Sequence, residues 1–245
     1  MCCFSQKVDV VADTNIFARA AKDGRQFLVY SMKVKAGEDL AMILPIPTPK
    51  GSPDDAVRFI NLEKYPGFFD DLKKGFPEPL ANRSPKPGSK SDPSPAAPLQ
   101  VVEVGSFEAS FVPAIKDFAR LDARFRLPEG VWEKLPQYKE FGFAVFKLKK
   151  GERKIHPMAF DFPRADKDIL FFPTVHIHDG TVPAKAIFDH ALFCQTGDAP
   201  LRWEESPALA ASFVDIKKSL GLVDPDEHVY RIVLKGEHAN KDVGL

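Results

Sequence analysis

The segment Phe171-Phe172-Pro173-Thr174-Val175-His176-Ile177-His178-Asp179-Gly180 carries two imidazoles one residue apart. On an extended strand, side chains alternate between faces, so Phe171, Val175 and Ile177 share one side and Thr174, His176 and His178 the other. Two neutral nitrogens held by a rigid strand form part of a transition-metal site, and a third ligand must come from elsewhere. His190 is the nearest candidate, because a hairpin through Asp179 to Ala184 lays Phe188 to Leu192 beside the pair. His156, in the preceding strand, is the second, and Asp179, Asp189 or Cys194 are available to complete the shell. Four of the six histidines fall between His156 and His190. Imidazole nitrogens, joined by a thiolate, select zinc or copper over magnesium. The plainer alternative is that alternation places two polar residues on the solvent face of an amphipathic strand.

A second chemistry is written at the start of the chain. Removal of Met1 leaves the α-amino group on Cys2, where it can act as base toward the same residue's thiol, as in N-terminal nucleophile hydrolases. The Met1-Cys2 opening resembles that of glutamine-dependent amidotransferases, which implies an amidohydrolase with Cys2 as catalytic nucleophile. In place of the glycine that usually follows stands Cys3, and no substrate-binding Arg or Asn-Gly motif can be placed. Cys2 and Cys3 also serve as soft ligands if they lie beside the histidines, or simply as buried thiols. The His-x-His pair is similar to that of cupin-type proteins over this stretch alone. The downstream Glu and Gly-rich His motif are missing in their usual spacing, since Gly236-Glu237-His238-Ala239-Asn240 is too compressed.

Other chemistries lack their residues. There is no G-x-S-x-G elbow, no phosphate loop, no dinucleotide fingerprint and no C-x-x-C pair. Lys+Arg at 34 balance Asp+Glu at 34, leaving no basic excess for a phosphate backbone, so no nucleic-acid partner is expected. The N-terminus turns polar at Ser5-Gln6-Lys7 without an apolar stretch, and no apolar run spans a bilayer, so neither a secretory leader nor membrane contact is expected. Three cysteines, two of them adjacent, make a poor disulfide framework and point to a reducing, cytoplasmic setting.

The elements that would hold these residues are mostly strands. Phe outnumbers Tyr 21 to 4, which favours a dry core without polar handles to satisfy. A meander opens the chain, with strands at Val10 to Ala20, Gln26 to Lys35 and Leu40 to Ile46, the first turn made by Asp23-Gly24. The stretch Val57 to Leu62 reads as either strand or helix. A short helix after Tyr65-Pro66 carries Phe68, Phe69 and Leu72 on one face, an Asp70/Lys74 pair, and Gly75 at its end. Further strands are expected at Leu99 to Val104, Phe107 to Val112, Phe141 to Leu148, His156 to Phe162, Ile169 to His178, Ala186 to Gln195 and Val229 to Lys235. Phe141 to Leu148 is apolar on both faces, which marks a central strand. Ala114 to Leu121 and Pro128 to Leu135 read as helical. The clearest helix runs from Ser206 to Leu220, with Ser206 as N-cap, Gly221 beyond its end, and Leu209, Phe213, Ile216 and Leu220 as its apolar stripe.

Between Arg83 and Pro98 lie five Pro and four Ser with no aromatic or β-branched residue, a composition unable to offset its own ordering entropy. It reads as a tolerated surface loop, or as a polyproline peptide that contacts another protein. The expected fold class is α+β, a mostly antiparallel β-sheet or sandwich with a few peripheral helices. One β-rich domain spans residues 1–245, interrupted by the 83–98 loop. Over residues 1–75, the early Cys motif, the meander and Leu44-Pro45-Ile46-Pro47 resemble a set of uncharacterised bacterial proteins with a Leu-Pro-x-Pro strand end, a likeness that implies no activity. The leading functional reading is a transition-metal-binding protein or metalloenzyme using His176, His178, His190 and His156. Its alternatives are an amidohydrolase using Cys2 and a non-catalytic binding or structural protein.

Overall fold

Leu40-Ala41-Met42-Ile43-Leu44 and Phe143-Ala144-Val145-Phe146 are apolar at successive positions. A strand built this way has no solvent face and must be covered on both sides. The architecture follows from that demand. In the computed structural model, which describes residues 3–76, 102–105, 107–154, 156–177 and 180–245, the strands in chain order are β1 (Cys3–Phe4), β2 (Val10–Ala20), β3 (Arg25–Ala36), β4 (Leu40–Ile46), β5 (Arg58–Asn61), β6 (Val102–Val104), β7 (Phe107–Val112), β8 (Gly142–Leu148), β9 (Gly151–Lys154), β10 (Met158–Pro163), β11 (Phe171–Phe172), β12 (Lys185–Gln195), β13 (Glu204–Glu205), β14 (Tyr230–Ala239) and β15 (Val243–Gly244). Helix α1 (Phe68–Lys74) follows β5.

Five strands form one sheet in the order β1-β4-β8-β7-β6, every pair antiparallel. A larger sheet runs β13-β14-β12-β2-β3-β10-β5, with β9 also on β3. Its pairs are antiparallel except for β12 beside β2, which is parallel. The Asp23-Gly24 turn joins β2 to β3 as expected, Gly24 taking a φ of 78° that suits a residue without a Cβ. The inner faces of the two sheets meet in one apolar cluster that includes Leu28, Tyr30 and Phe160 from the larger sheet and Met42, Leu44 and Phe146 from the smaller. Behind the smaller sheet, Phe118, Leu121, Val131 and Tyr138 cover Ile43, Phe143 and Val145. Behind the larger, Phe68, Phe69 and Leu72 of α1, together with Val214 and Leu222, cover Phe17, Val29 and Phe193. Two sheets and two outer covers thus make four layers.

β8 is the middle strand of its sheet, as its two-sided apolar pattern predicts. The Val57 to Leu62 alternative resolves as strand β5, paired with β10. The helices fare differently. Apart from α1, the helical structure among the described residues is a set of short 3-10 turns at Ile115–Arg120, Ala123–Phe125, Trp132–Lys134, Pro136–Tyr138 and Ala210–Ser212. The architecture is therefore mostly β, and the α+β expectation overstates its helix.

The expected helix from Ser206 to Leu220 does not form, and its backbone donors show why. The Ala210 amide donates to the Glu227 carbonyl at 3.0 Å, the Ala211 amide to the Pro225 carbonyl at 3.1 Å and the Asp215 amide to the Tyr65 hydroxyl at 2.9 Å. These donors go to distant elements instead of the carbonyls four residues back, so the chain is pinned as turns. Leu209 and Leu220, two members of the predicted stripe, are exposed. Within α1 the close ion pair of Lys74 is with Asp71 at 2.5 Å, and Asp70 acts on it as a weaker electrostatic neighbour. The expected strand Leu99 to Val104 is described only as β6, residues 99–101 and the 83–98 loop lying outside the described residues.

Phe146 joins the layers most directly, its ring centroid lying 5.6 Å from Phe59, 5.9 Å from Phe160 and 6.1 Å from Phe107. Truncating a buried ring leaves a cavity that surrounding strands fill only in part. Phe146→Ala is expected to destabilise the protein by about 3–5 kcal/mol, read as a lower denaturation midpoint with little change in the denaturant slope.

Candidate functional site

The sequence places its chemistry on residues 171–178, yet the strand expected there shrinks to the two residues of β11 and an isolated bridge at Ile177. The intervening backbone is held by side chains from the C-terminal segment. The Asn240 carboxamide accepts from the His176 amide at 2.7 Å and donates back to the His176 carbonyl at 3.0 Å, so it stands in for a neighbouring strand. One oxygen of Asp242 accepts from the amides of Thr174 at 2.8 Å and Val175 at 3.0 Å, while its other oxygen accepts from the Tyr138 hydroxyl at 2.5 Å. The Thr174 hydroxyl donates to the Lys241 carbonyl at 2.8 Å. Thr174, Val175, His176 and Ile177 are all buried, so the alternation of a half-exposed strand does not apply.

His176 and His190 come together. Their ring centroids lie 5.0 Å apart, and Phe188 packs on both, 4.4 Å from His176 and 4.8 Å from His190. His238 meets Phe188 edge-on, with ring centroids 5.4 Å apart. His190 reaches this position on β12, between Thr14 of β2 and Leu234 of β14. The predicted hairpin through Asp179 to Ala184 is not what brings it there, since β12 pairs with β14 and β2.

His156 is not part of this group. Its ring stacks on Phe107 at 4.1 Å, and a Cβ added at Gly105 would lie 2.6 Å from its Nε2. Burial pushes its imidazole below the ordinary range despite a hydrogen bond to the Pro157 carbonyl and the nearby Glu63, so it is neutral at physiological pH. Cys194 shares a strand with His190 at four residues' distance, about 13 Å along an extended chain, and lies in the apolar cluster between the sheets. Burial pushes its thiol up to about 12, which leaves no reactive thiolate at neutral pH. Asp189 is the immediate strand neighbour of His190 and projects to the opposite face, where it accepts from the Asp13 amide at 3.2 Å. His178, Asp179 and Cys2 lie outside the described residues. Among the described residues no group of three or more His, Cys, Asp or Glu is placed to hold a metal ion.

The two features singled out in the sequence are neighbours in the fold. Cys3 pairs with Ile177 in a parallel bridge, and the Phe4 amide donates to the Ile177 carbonyl at 3.1 Å. The N-terminal strand therefore lies against the residue next to His176. Cys3 itself is buried between the smaller sheet and its cover. Reasoning from sequence missed Tyr138, Asn240 and Asp242, the residues that fix this arrangement. The tail after Gly236 reads as merely polar, although an Asn and an Asp two residues apart can bridge another chain's backbone.

In class, the fold is a pair of packed, largely antiparallel β-sheets with an irregular cover on each outer face. No protein-family model matches the sequence, and no curated protein matches it. Among solved structures the chain is similar to baculovirus P35, with a TM-score of 0.55 at 13% identity over 100% of this chain and 98% of that one. A mutated baculovirus P35 after caspase cleavage gives a TM-score of 0.50 at 14% identity, over 95% of this chain and 98% of that one. A complex of caspase-8 with P35 gives 0.48 at 15% identity, over 96% and 95%. At these identities the likeness is one of fold. No helix among the described residues is long and apolar enough to cross a membrane.

Asp242 makes the site's stability depend on pH. Burial pushes its carboxyl above the ordinary value of 3.8, and this outweighs the opposing hydrogen bonds from Tyr138, Val175 and Thr174. For a carboxyl raised in the folded state, the stabilising contribution is complete below the unfolded value and is lost as pH rises through the folded one. Asp242→Asn keeps an oxygen for the two amides and removes the charge. Denaturation from pH 4 to pH 8 is expected to show the parent losing stability relative to Asp242→Asn as pH rises. Parallel curves for the two proteins would assign the pH dependence to another group.

Proposed function

We propose that this chain is a non-catalytic binding protein whose partner is a cysteine protease of the caspase class, and that it restrains that protease. The observation that carries this reading is the likeness in fold to baculovirus P35 along the entire chain, one solved form of which is a P35 after caspase cleavage. The site geometry is compatible with it. Cys194 is buried with its thiol held protonated, Cys3 is buried in a packed cover, and the histidines that come together are enclosed rather than presented to a substrate.

The experiment is a titration of the full-length protein against a panel of caspases, including caspase-8, with fluorogenic peptide substrates. Loss of peptidase activity at near-stoichiometric protein, with a complex that survives gel filtration, is the expected outcome for at least one member. Undiminished activity across the panel at a large excess of the chain, with no complex, would overturn the reading.

A second reading rests on the 5.0 Å approach of His176 to His190. Two imidazoles at this separation suit a shared zinc or copper ion, with the remaining ligands supplied from outside the pair. Elemental analysis of protein purified without chelator is expected to find near-stoichiometric metal that disappears in His176→Ala/His190→Ala. Parent protein that stays metal-free after reconstitution with zinc and copper excludes a stable site there.

A further inference from the structure

On one side the larger sheet ends in β14, and the strand beside it is short. β13 pairs only with Tyr230 and Arg231, so from Ile232 to Ala239 no strand among the described residues lies along the outer edge. The strand at the opposite end, β5, has four residues, and such brevity is one ordinary way to limit an open edge. β14 has ten.

Its outward groups can be located. The Asn240 amide donates to the Ala184 carbonyl at 2.9 Å, toward β12, whereas the Val229 carbonyl accepts from the Ser206 amide at 2.8 Å, on the β13 side. Backbone groups alternate sides along a paired strand, so Val233, Lys235, Glu237 and Ala239 aim their amides and carbonyls away from β12. Two of these carbonyls have local neighbours. His238 Nε2 lies 3.0 Å from that of Lys235, and the Lys241 amide donates to that of Ala239 at 3.0 Å. Side chains alternate as well. Ile232 and Leu234 turn inward onto the cluster between the sheets, while Lys235 and Glu237 are exposed on the outer face and Val233 is 46% exposed there.

An open edge is a template for a strand whose residues complement it, and β14 complements itself. With a two-fold axis at Gly236, antiparallel pairing sets Lys235 of each copy opposite Glu237 of the other, and Val233 opposite Ala239. The paired positions are the ones that aim away from β12, so donors and acceptors meet. A shift by two residues keeps that match but sets Lys235 against Lys235, or Glu237 against Glu237, and like charges directly opposite are unfavourable. Within the chain the charges already alternate, since Asp189 of β12 lies opposite Lys235 and Lys185 pairs with Glu237 at 2.8 Å. Gly236 falls on the axis at a non-hydrogen-bonded pair, where two Cα atoms approach to about 4.5 Å. Its φ of 86° favours glycine, and a Cβ added there would meet nothing within 4 Å, so the space at the axis is open. The second copy's Ala239 would lie beside Val233, and its chain turns away at Lys241 before reaching β13.

We propose that the occupant of this edge is a second copy of the chain, joined through β14 about a two-fold axis at Gly236. Backbone hydrogen bonds supply the attraction, as in strand addition generally, and the two Lys235/Glu237 pairs select the register. The dimer does not depend on the protease reading.

The test is sedimentation equilibrium of the full chain in about 50 mM salt, where exposed charges are little screened. An edge contact is smaller than a standard interface and holds weakly, so the concentrations run from roughly 5 µM to about 1 mM. Reversible dimerisation is expected within that range. Lys235→Glu and Glu237→Lys each set like charges opposite one another at two places, and each is expected to weaken the dimer by at least about tenfold. Mixed in equal amounts, the two variants complement each other again and are expected to form a heterodimer close to the parent in strength, which a folding defect in either would not allow. Lys235→Pro removes an outward amide without touching the ladder to β12, and is expected to abolish the dimer while melting cooperatively near the parent. A chain that stays monomeric to about 1 mM would overturn the proposal and leave the edge to some other strand. A dimer that both charge variants leave untouched would overturn it too, as would variants that do not associate when mixed.

Discussion

Much in this fold depends on the fact that the central parts of both sheets are covered with apolar residues on both faces. The strands cannot be left with water on one side, so the chain must supply two further layers beyond the sandwich, and most of that material is turns and irregular backbone. Irregular backbone packed on a dry sheet loses the regular ladders that would satisfy its amides and carbonyls. Among the described residues, three carboxamides meet that need in the same way. Gln26 accepts from the Phe171 amide and donates to its carbonyl, Gln195 does the same for Asp224, and Asn240 for His176. Each imitates a single rung of a β-ladder, Gln26 on the edge of β11 that β15 leaves open.

This explains which parts of the fold were legible from residue order. Period and turn chemistry are local, and they located β2, β4 and β7 to the residue and singled out β8 as central. The Ser206 to Leu220 stretch had every local mark of a helix, yet Tyr65, Glu227 and Pro225 accept from its backbone amides from far along the chain. A sequence pattern cannot show that a hydroxyl 150 positions away will take an amide proton. The same holds for Phe171 to Ile177, where the apolar run was visible and the Asp242 clamp that replaces strand pairing was not. Gln26, a fully buried carboxamide beside the apolar run Phe27 to Tyr30, was a visible sign of such a clamp.

The candidate site was half legible. Clustering of histidines drew attention to His176 and His190, whose rings lie 5.0 Å apart, and the proximity of the N-terminus to them emerges only from the Cys3–Ile177 bridge. His156 was grouped with them by sequence distance, but it precedes β10, which lies on the opposite side of β3 from β2 and β12, and its ring serves the Phe107 contact instead. Adjacency along a chain of strands says little about adjacency across a sheet whose order is not the chain's order.

That sheet order has a further consequence. The stretch 77–101 separates β1 to β5 and α1 from β6 to β15, but neither sheet respects the division. In the larger sheet the hairpin of β2 and β3 lies between β12 and β10, and β5 lies beyond β10; in the smaller, β4 lies against β8. The two portions of the chain are shuffled together like two halves of a deck rather than set side by side. A single break in the covalent chain within 77–101 would therefore not divide the protein into two bodies. The fragments would travel as one particle under native conditions and come apart only in denaturant.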